Sequence, residues 1–354
     1  MAFSPEKRAG TMSGILFVAI FATAATYIAG LGPIKALGLS PLVIGIVMGI
    51  FYANTLHNKL PMEWESGITF SGKKILRFAI VIYGFRITFQ QIGEVGLEGF
   101  LVSLIMLSTT FILGTWLGYK IFGMEKDTSM LTASGASVCG AAAVLATEPV
   151  LKAEEHKTAI AVSMVVLFGT ISMFLYPVLY SGFIENATGF LHMTAREFGI
   201  YVGGTIHEVA QVVAVPASIP NSPEEMANSA VIVKMTRVIM IAPMLIILGL
   251  YLSYVAKKEG GAAADVKLVI PWFAVYFIAV AGFNSLHLVP ENIVSGINEV
   301  DTFLLTMAMT ALGMGTRFAK FKGLGLKPIY TAFGMFAWLV IGGFIVTKVI
   351  CQVF

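Results

Sequence analysis

The chain has 354 residues, of which 57% are hydrophobic and only 12% charged, with a formal net charge of +3. Its mean hydropathy is +0.85. A soluble domain carries about 25% charged residues, so this composition excludes a soluble enzyme or binding module, and a weak positive balance without a basic run excludes nucleic acid as a partner.

Long stretches carry no Asp, Glu, Lys or Arg at all, among them Gly99–Tyr119, Thr128–Thr147 and Thr158–Ile184. Runs of about 18 or more apolar residues read as membrane-spanning helices. Strands of a membrane barrel would alternate polar and apolar residues, and these runs do not. The fold class expected is an all-α polytopic membrane protein of about eleven transmembrane helices.

The first segment, Ser13–Leu31, follows Lys7 and Arg8 and is long enough to span, so it is expected to stay as an extra N-terminal helix (residues 1–31) rather than be cleaved as a signal peptide. Segments Pro41–Thr55, Ile75–Ile92, Leu97–Phe122, Leu131–Ala146 and Thr158–Tyr180 form a first repeat region, residues 32–181. Segments Phe198–Val215, Ala230–Val255, Val269–Leu288, Val300–Phe318 and Ile329–Val353 form a second, residues 196–354. A faint echo links Ile82–Arg86, at the end of the third segment, with Ala311–Arg317, at the end of the tenth. Inverted repeats of this kind are common in secondary transporters.

Basic residues in short loops mark the cytoplasmic side. Lys7 and Arg8 place the N-terminus inside. Alternation then puts Lys59, Lys73 and Lys74 inside, followed by Lys120 and Lys126, Arg196, Lys257, Lys258 and Lys267, and Arg317, Lys320, Lys322 and Lys327. Glu94, Glu98, Glu224, Glu225, Glu291, Glu299 and Asp301 fall outside, as does the C-terminus. Lys152 and Lys157 land on the acidic side, balanced by Glu148, Glu154 and Glu155.

The fifth segment contains Ser134-Gly135-Ala136-Ser137-Val138-Cys139-Gly140-Ala141-Ala142-Ala143. Small residues with two glycines let a helix unwind inside the bilayer, and a half-helix starting there presents amide donors to an anion. Ser134 and Ser137 add hydroxyl donors. Close packing of neighbouring helices is the alternative use of such residues. Cys139 and Cys351 lie in separate apolar segments, so neither a disulfide framework nor a metal site is expected, and no cofactor is.

The seventh segment contains Gly203-Gly204-Thr205-Ile206-His207-Glu208-Val209-Ala210-Gln211. A double glycine again weakens the helix, and ionisable groups inside a span point to function. A zinc protease would need histidine where Gln211 stands. His207 and Glu208 are candidates for taking up protons or orienting a solute; a hydrated helix end is the plainer reading. The eighth segment places Lys234 and Arg237 on one helical face. They could neutralise an anion, pair with Glu208, or snorkel to the headgroups. Arg86 and Arg317 read as helix ends. The later segment that meets the fifth is left open between the seventh and the tenth.

These blocks together, with Lys234-Met235-Thr236-Arg237 and Leu312-Gly313-Met314-Gly315-Thr316, resemble the bacterial family of YeiH-like sulfate exporters over nearly the whole chain. The resemblance implies the fold of the cation/proton antiporter and anion transporter superfamily, with core and panel domains and two broken helices that cross near the membrane centre. It also implies a bacterial inner-membrane location. Sodium/proton antiporters of that superfamily carry paired acids in a core helix, and this chain has no such pair within a span.

The function expected is therefore secondary transport, in the export direction, of a small anion such as sulfate or an organic sulfonate. The alternatives are a cation/proton antiporter that uses Glu208, and a membrane sensor or enzyme. No catalytic constellation points to an enzyme. A dianion leaving through about 100 mV gains about 4.6 kcal/mol, so export can run without a coupling ion, with a proton or sodium as the candidate where coupling exists. A homodimer is a candidate assembly. The residues expected at the solute are Ser134, Gly135, Ser137, Cys139, Gly140, Gly204, Thr205, His207, Glu208, Gln211, Lys234 and Arg237.

Overall fold

The computed structural model describes residues 8–32, 34, 39–56, 61–258, 270–321 and 325–354, and among them helices dominate and no strand occurs. Lys7, Lys59, Lys267 and Lys322, used above for orientation, lie outside the described residues, as does the Val269 start of the ninth segment. Each of the eleven apolar segments contains helix. In chain order these are α1 (Arg8–Gly30), α2 (Pro41–Thr55), α3 (residues 65–83), α4 (Phe89–Ile121), α5 (Lys126–Ser137), α6 (Ala141–Leu151) and α7 (Glu155–Ile184). There follow α8 (Ala195–Thr205), α9 (Val209–Ala217), α10 (Glu224–Ile239), α11 (Ile241–Lys258), α12 (Trp272–Asn284), α13 (Glu291–Gly315) and α14 (Leu326–Val353). Among the described residues, five stretches are long and apolar enough to cross a membrane, namely α1, α4, α7, Glu224–Val255 and α14.

The chain gathers into two compact units, one of residues 1–92, 213–223 and 273–322, the other of residues 93–212, 224–272 and 323–354. In the first unit α13 packs along α2, where Gly49 and Gly313 let the two backbones touch; a Cβ at Gly313 would lie 3.1 Å from the Gly49 Cα. Small residues permit this approach, the usual basis of helix association in lipid. Val18, Ala22, Tyr52, Met307, Ala311 and Met314 form the core beside it. Arg86 bonds Asp301 (3.2 Å) and the Asn298 carbonyl (2.6 Å), so it ties the end of the third segment to α13. Both halves of the Gly-Arg echo lie in this unit.

In the second unit α4 and α14 run antiparallel, with Gly118 against Thr331 and Gly114 against Met335. One end of the unit carries the Lys327–Gly123 hydrogen bond (3.0 Å) and the Lys157–Glu125 ion pair (2.6 Å). The opposite end carries the pairs Arg196–Glu98 (2.9 Å) and Lys348–Glu197 (3.0 Å).

Among the eleven segments expected to span, the fifth and the seventh each double back. α5 and α6 fold back on each other: Ser134 Oγ lies 2.6 Å from Thr147 Oγ1, Gly135 packs on Val144, and the chain returns to the end where it entered, as the Lys157–Glu125 pair requires. The seventh segment also starts and finishes at one end, because α8 and the following α10 run parallel. Gly199 lies on Met226 and Ser229, and Gly203 four residues on lies on Ala230 and Val233. Length explains both. Helices of 12 and 11 residues (α5, α6) and of 11 and 9 (α8, α9) reach only about 14–18 Å at 1.5 Å per residue, roughly half of the ~30 Å hydrocarbon layer. Irregular turns of this kind are tolerated at membrane depth when they are buried in protein. Lys152 and Lys157, which the alternating count placed among the acids, thereby join the end that carries Lys327.

Candidate functional site

The two hairpins enter the second unit from opposite ends and meet at their tips. The first tip is Val138–Gly140, where α5 stops and α6 begins; Gly140 has φ 75° and ψ −138°, a conformation open in practice to glycine alone. The second tip is Ile206–Glu208, opened where Ile206 turns to extended backbone (φ −71°, ψ 147°). The tenth segment, by contrast, is one continuous helix in the other unit. The question left open by the sequence is answered in favour of the seventh.

Each tip brings together the C-terminal end of one short helix and the N-terminal end of the next. The C-terminal ends carry unpaired carbonyls and a partial negative charge, and here Lys234 and Arg237 meet them. The Lys234 ammonium donates to the carbonyls of Val138 (2.7 Å), Ile206 (2.7 Å) and His207 (2.6 Å). The Arg237 guanidinium donates to Ser137 (2.6 and 3.2 Å) and Ala136 (3.2 Å) on one hairpin, and to Gly203 (3.2 Å) and Ile206 (3.3 Å) on the other. A lysine has three N–H donors and an arginine five, so all of them are engaged. Both side chains are 0% exposed, which rules out snorkelling. The two cations clamp the hairpin tips to each other.

The N-terminal ends face a partly exposed place. Ala141, Ala142 and Glu208 are half-buried, whereas Val138, Cys139, His207, Val209 and Ala210 are buried. The first amides of a helix have no carbonyl of their own helix to bond. At the start of α9, Gln211 Oε1 accepts from the Glu208 N–H (3.1 Å), one half of a capping box. The Glu208 carboxylate reaches to the other hairpin and accepts from the Ala141 N–H (3.4 Å), its side chain lying over Gly140. Two atoms at this tip, His207 Nδ1 and Gln211 Nε2, are buried without a hydrogen-bond partner.

The remaining expected residues have local tasks. Ser134 bonds Thr147 and the Ala143 carbonyl, and Ser137 bonds the Ser134 carbonyl, so both hydroxyls close the first hairpin. Gly135 and Gly204 give packing room against Val165 and Val102. Thr205 donates to the Tyr201 carbonyl (2.6 Å) and accepts from Tyr176 (2.9 Å), whose ring stacks on Tyr201 at 4.9 Å. Cys139 is a buried free thiol at the first tip. Sequence reasoning missed Gly169 of α7, on which the Gln211 amide rests. Its position, a lone glycine in the charge-free middle of a span, was the available signal.

Comparison with known proteins identifies a family. The sequence matches the family described as Conserved hypothetical protein 698 over residues 13–332. It is 45% identical to a UPF0324 membrane protein of Bordetella pertussis over 337 residues, 95% of this chain and 94% of that one. It is 44% identical to a UPF0324 membrane protein of Pseudomonas putida over 347 residues, 98% and 96% of the two chains. It is 42% identical to the UPF0324 inner membrane protein YeiH of Escherichia coli over 340 residues, covering 96% and 94%.

Proposed function

The chain belongs to the Conserved hypothetical protein 698 family of membrane proteins, and from that premise we propose that it is a secondary transporter of a small anion whose solute site lies at the two hairpin tips. The observation that carries this reading is the division of labour at the tips. Lys234 and Arg237 occupy the carbonyl ends, which leaves the amide ends of α6 and α9 at the partly exposed side. Half-helix N-termini aimed at an anion are a recurrent device of transporters.

Charge supports the same sign. The tips hold two buried cations, Lys234 and Arg237, and the Glu208 carboxylate, which interacts with Lys234; an anion relieves that imbalance where a cation would worsen it. Sulfate and organic sulfonates suit the donors in kind, since their oxygens only accept hydrogen bonds and the tips offer peptide N–H groups. Lys234 and Arg237 act in this reading as positioning residues. They fix the geometry of both tips and lend their field without touching the solute. The cation/proton alternative through Glu208 is the weaker, because its carboxylate already accepts from the Ala141 amide and lies in the field of Lys234.

Of the eleven segments, removing the two hairpins leaves nine crossings, still with the N-terminus inside and the C-terminus outside. The end that carries Lys152, Lys157 and Lys327 is then cytoplasmic, and the end with Glu94 and Glu98 faces out. The test is efflux of radiolabelled sulfate from proteoliposomes. The reading predicts loss faster than from protein-free vesicles, accelerated by an interior-negative potential. Sodium-driven proton movement with no response to sulfate would replace it by the antiporter.

A further inference from the structure

The Glu208 carboxylate is in an unusual position for a group in an anion site. Glu208 is the residue before α9, yet its carboxylate reaches across to the other hairpin. It lies over Gly140 and accepts the first amide of α6, the kind of partner a free oxyanion would take. The neighbouring Gln211 gives a second, independent sign. Its side chain is 0% exposed and its Oε1 is fixed by the Glu208 N–H, which leaves Nε2, a donor, buried beside the same tip with nothing to bond. A buried donor without an acceptor is costly, and the missing partner is by its chemistry an oxygen that accepts. Glu208 holds one of the two donors, and the other waits.

We propose that the Glu208 carboxylate is a tethered anion that keeps the solute's seat, and that its negative form and a bound oxyanion exclude each other, so that solute binding takes up a proton at Glu208. The proposal rests on the reading of the hairpin tips as an anion site. The charged and titratable groups that act on Glu208 include Lys234 of α10 and Cys139 at the first tip; Arg237 lies one turn from Lys234 on α10, and His207 is the chain neighbour of Glu208. α7 brings Gly169 to this place. Protonated, Glu208 becomes a neutral group that can stay near the tip as a donor while the solute's oxygens take the Ala141 N–H and Gln211 Nε2. Ionised, it repels a dianion from the same amides.

The experiment is equilibrium binding of radiolabelled sulfate to the full-length protein in lipid nanodiscs across a pH series. Sulfate remains a dianion throughout, so its own protonation does not enter. The wild-type protein is expected to bind about tenfold more weakly for each pH unit above the Glu208 titration, as linkage to one proton requires. Glu208→Gln is expected to bind with no pH slope and more tightly than wild type at the alkaline end. Linkage is reciprocal, so a weakly buffered wild-type sample with an indicator dye should take up about one proton per sulfate bound, a readout that needs no variant. The proposal is overturned if Glu208→Gln keeps the wild-type slope, if the folded variant loses sulfate binding, or if sulfate binds to wild type without proton uptake. If neither protein binds sulfate at any pH, the anion-site reading itself fails and takes this proposal with it. Flat, tight binding by both proteins leaves the anion site standing and removes only the tethered carboxylate.

Discussion

Replacing Arg237 with lysine separates a clamp from a solute ligand, because it keeps the charge and changes the geometry. The guanidinium makes five hydrogen bonds to carbonyls of both hairpins, and an ammonium has three donors, so at least two bonds are lost. Hydrogen bonds from a charged donor contribute about 1.5–3 kcal/mol each, which puts the loss at about 3–6 kcal/mol. Arg237 is 0% exposed, so water does not reach the abandoned carbonyls. The ammonium, more strongly hydrated than a guanidinium, adds its own desolvation. At about 2 °C per kcal/mol for a chain of this size, the melting temperature should fall by roughly 6–12 °C in a thermal scan of the purified protein. At a temperature where Arg237→Lys is still folded, its sulfate affinity should stay within about twofold of wild type, under 0.5 kcal/mol. An unchanged melting temperature with affinity weakened about tenfold, ~1.4 kcal/mol, would refute the clamp and make Arg237 a direct ligand.

Three further outcomes follow from neighbouring contacts. Gly140→Ala places a Cβ in a backbone region that disfavours side chains, at a cost of about 1–3 kcal/mol, and against the Glu208 side chain; sulfate efflux should drop strongly while membrane insertion, followed by fluorescence size-exclusion of the expressed protein, persists. Gly169→Val forces the Gln211 amide off its seat, and should weaken sulfate binding more than it lowers the melting temperature; a variant with normal affinity would remove Gln211 from the site. Lys157, hydrogen-bonded to Glu125, holds that carboxyl below its usual range. The folded value is depressed, so the pair's contribution is present above the unfolded pKa and is lost as pH falls through the folded one. Melting temperature against pH should therefore show an acid step in wild type that is smaller in Glu125→Gln.

Much of the fold was legible because lipid is a strict solvent. Charge-free runs had to be helices, and glycine with small residues marked where two of them open. The fold-back was not legible, although its trace was present: Lys152 and Lys157 fall among the acids in the alternating count, and a segment that doubles back brings them to the end that carries Lys327. Apolar length alone does not distinguish one span from two half-length helices, since both must hide the same backbone from lipid. At the site, the spacing of Lys234 and Arg237 gave their common face but not their partners. Carbonyls freed by a break appear only once the break's geometry is known, and these two side chains turn to them. The hydroxyls of Ser134 and Ser137 were read as solute donors, yet short side chains bond what lies within a turn or across a hairpin, here Thr147 and two backbone carbonyls. Glu208 stands out in the sequence as the acid inside a core-like block. Its reach to the other hairpin depended on a pairing that one sequence does not contain.

The most direct measurement is solute protection at the tip itself. With both native cysteines replaced and Ala142→Cys introduced beside the α6 amides, a hydrophilic methanethiosulfonate reagent should label the protein, and sulfate should slow that labelling saturably, at the concentration that half-saturates binding. Labelling that proceeds at the same rate with and without sulfate, in protein that still transports it, would place the solute elsewhere and contradict the account.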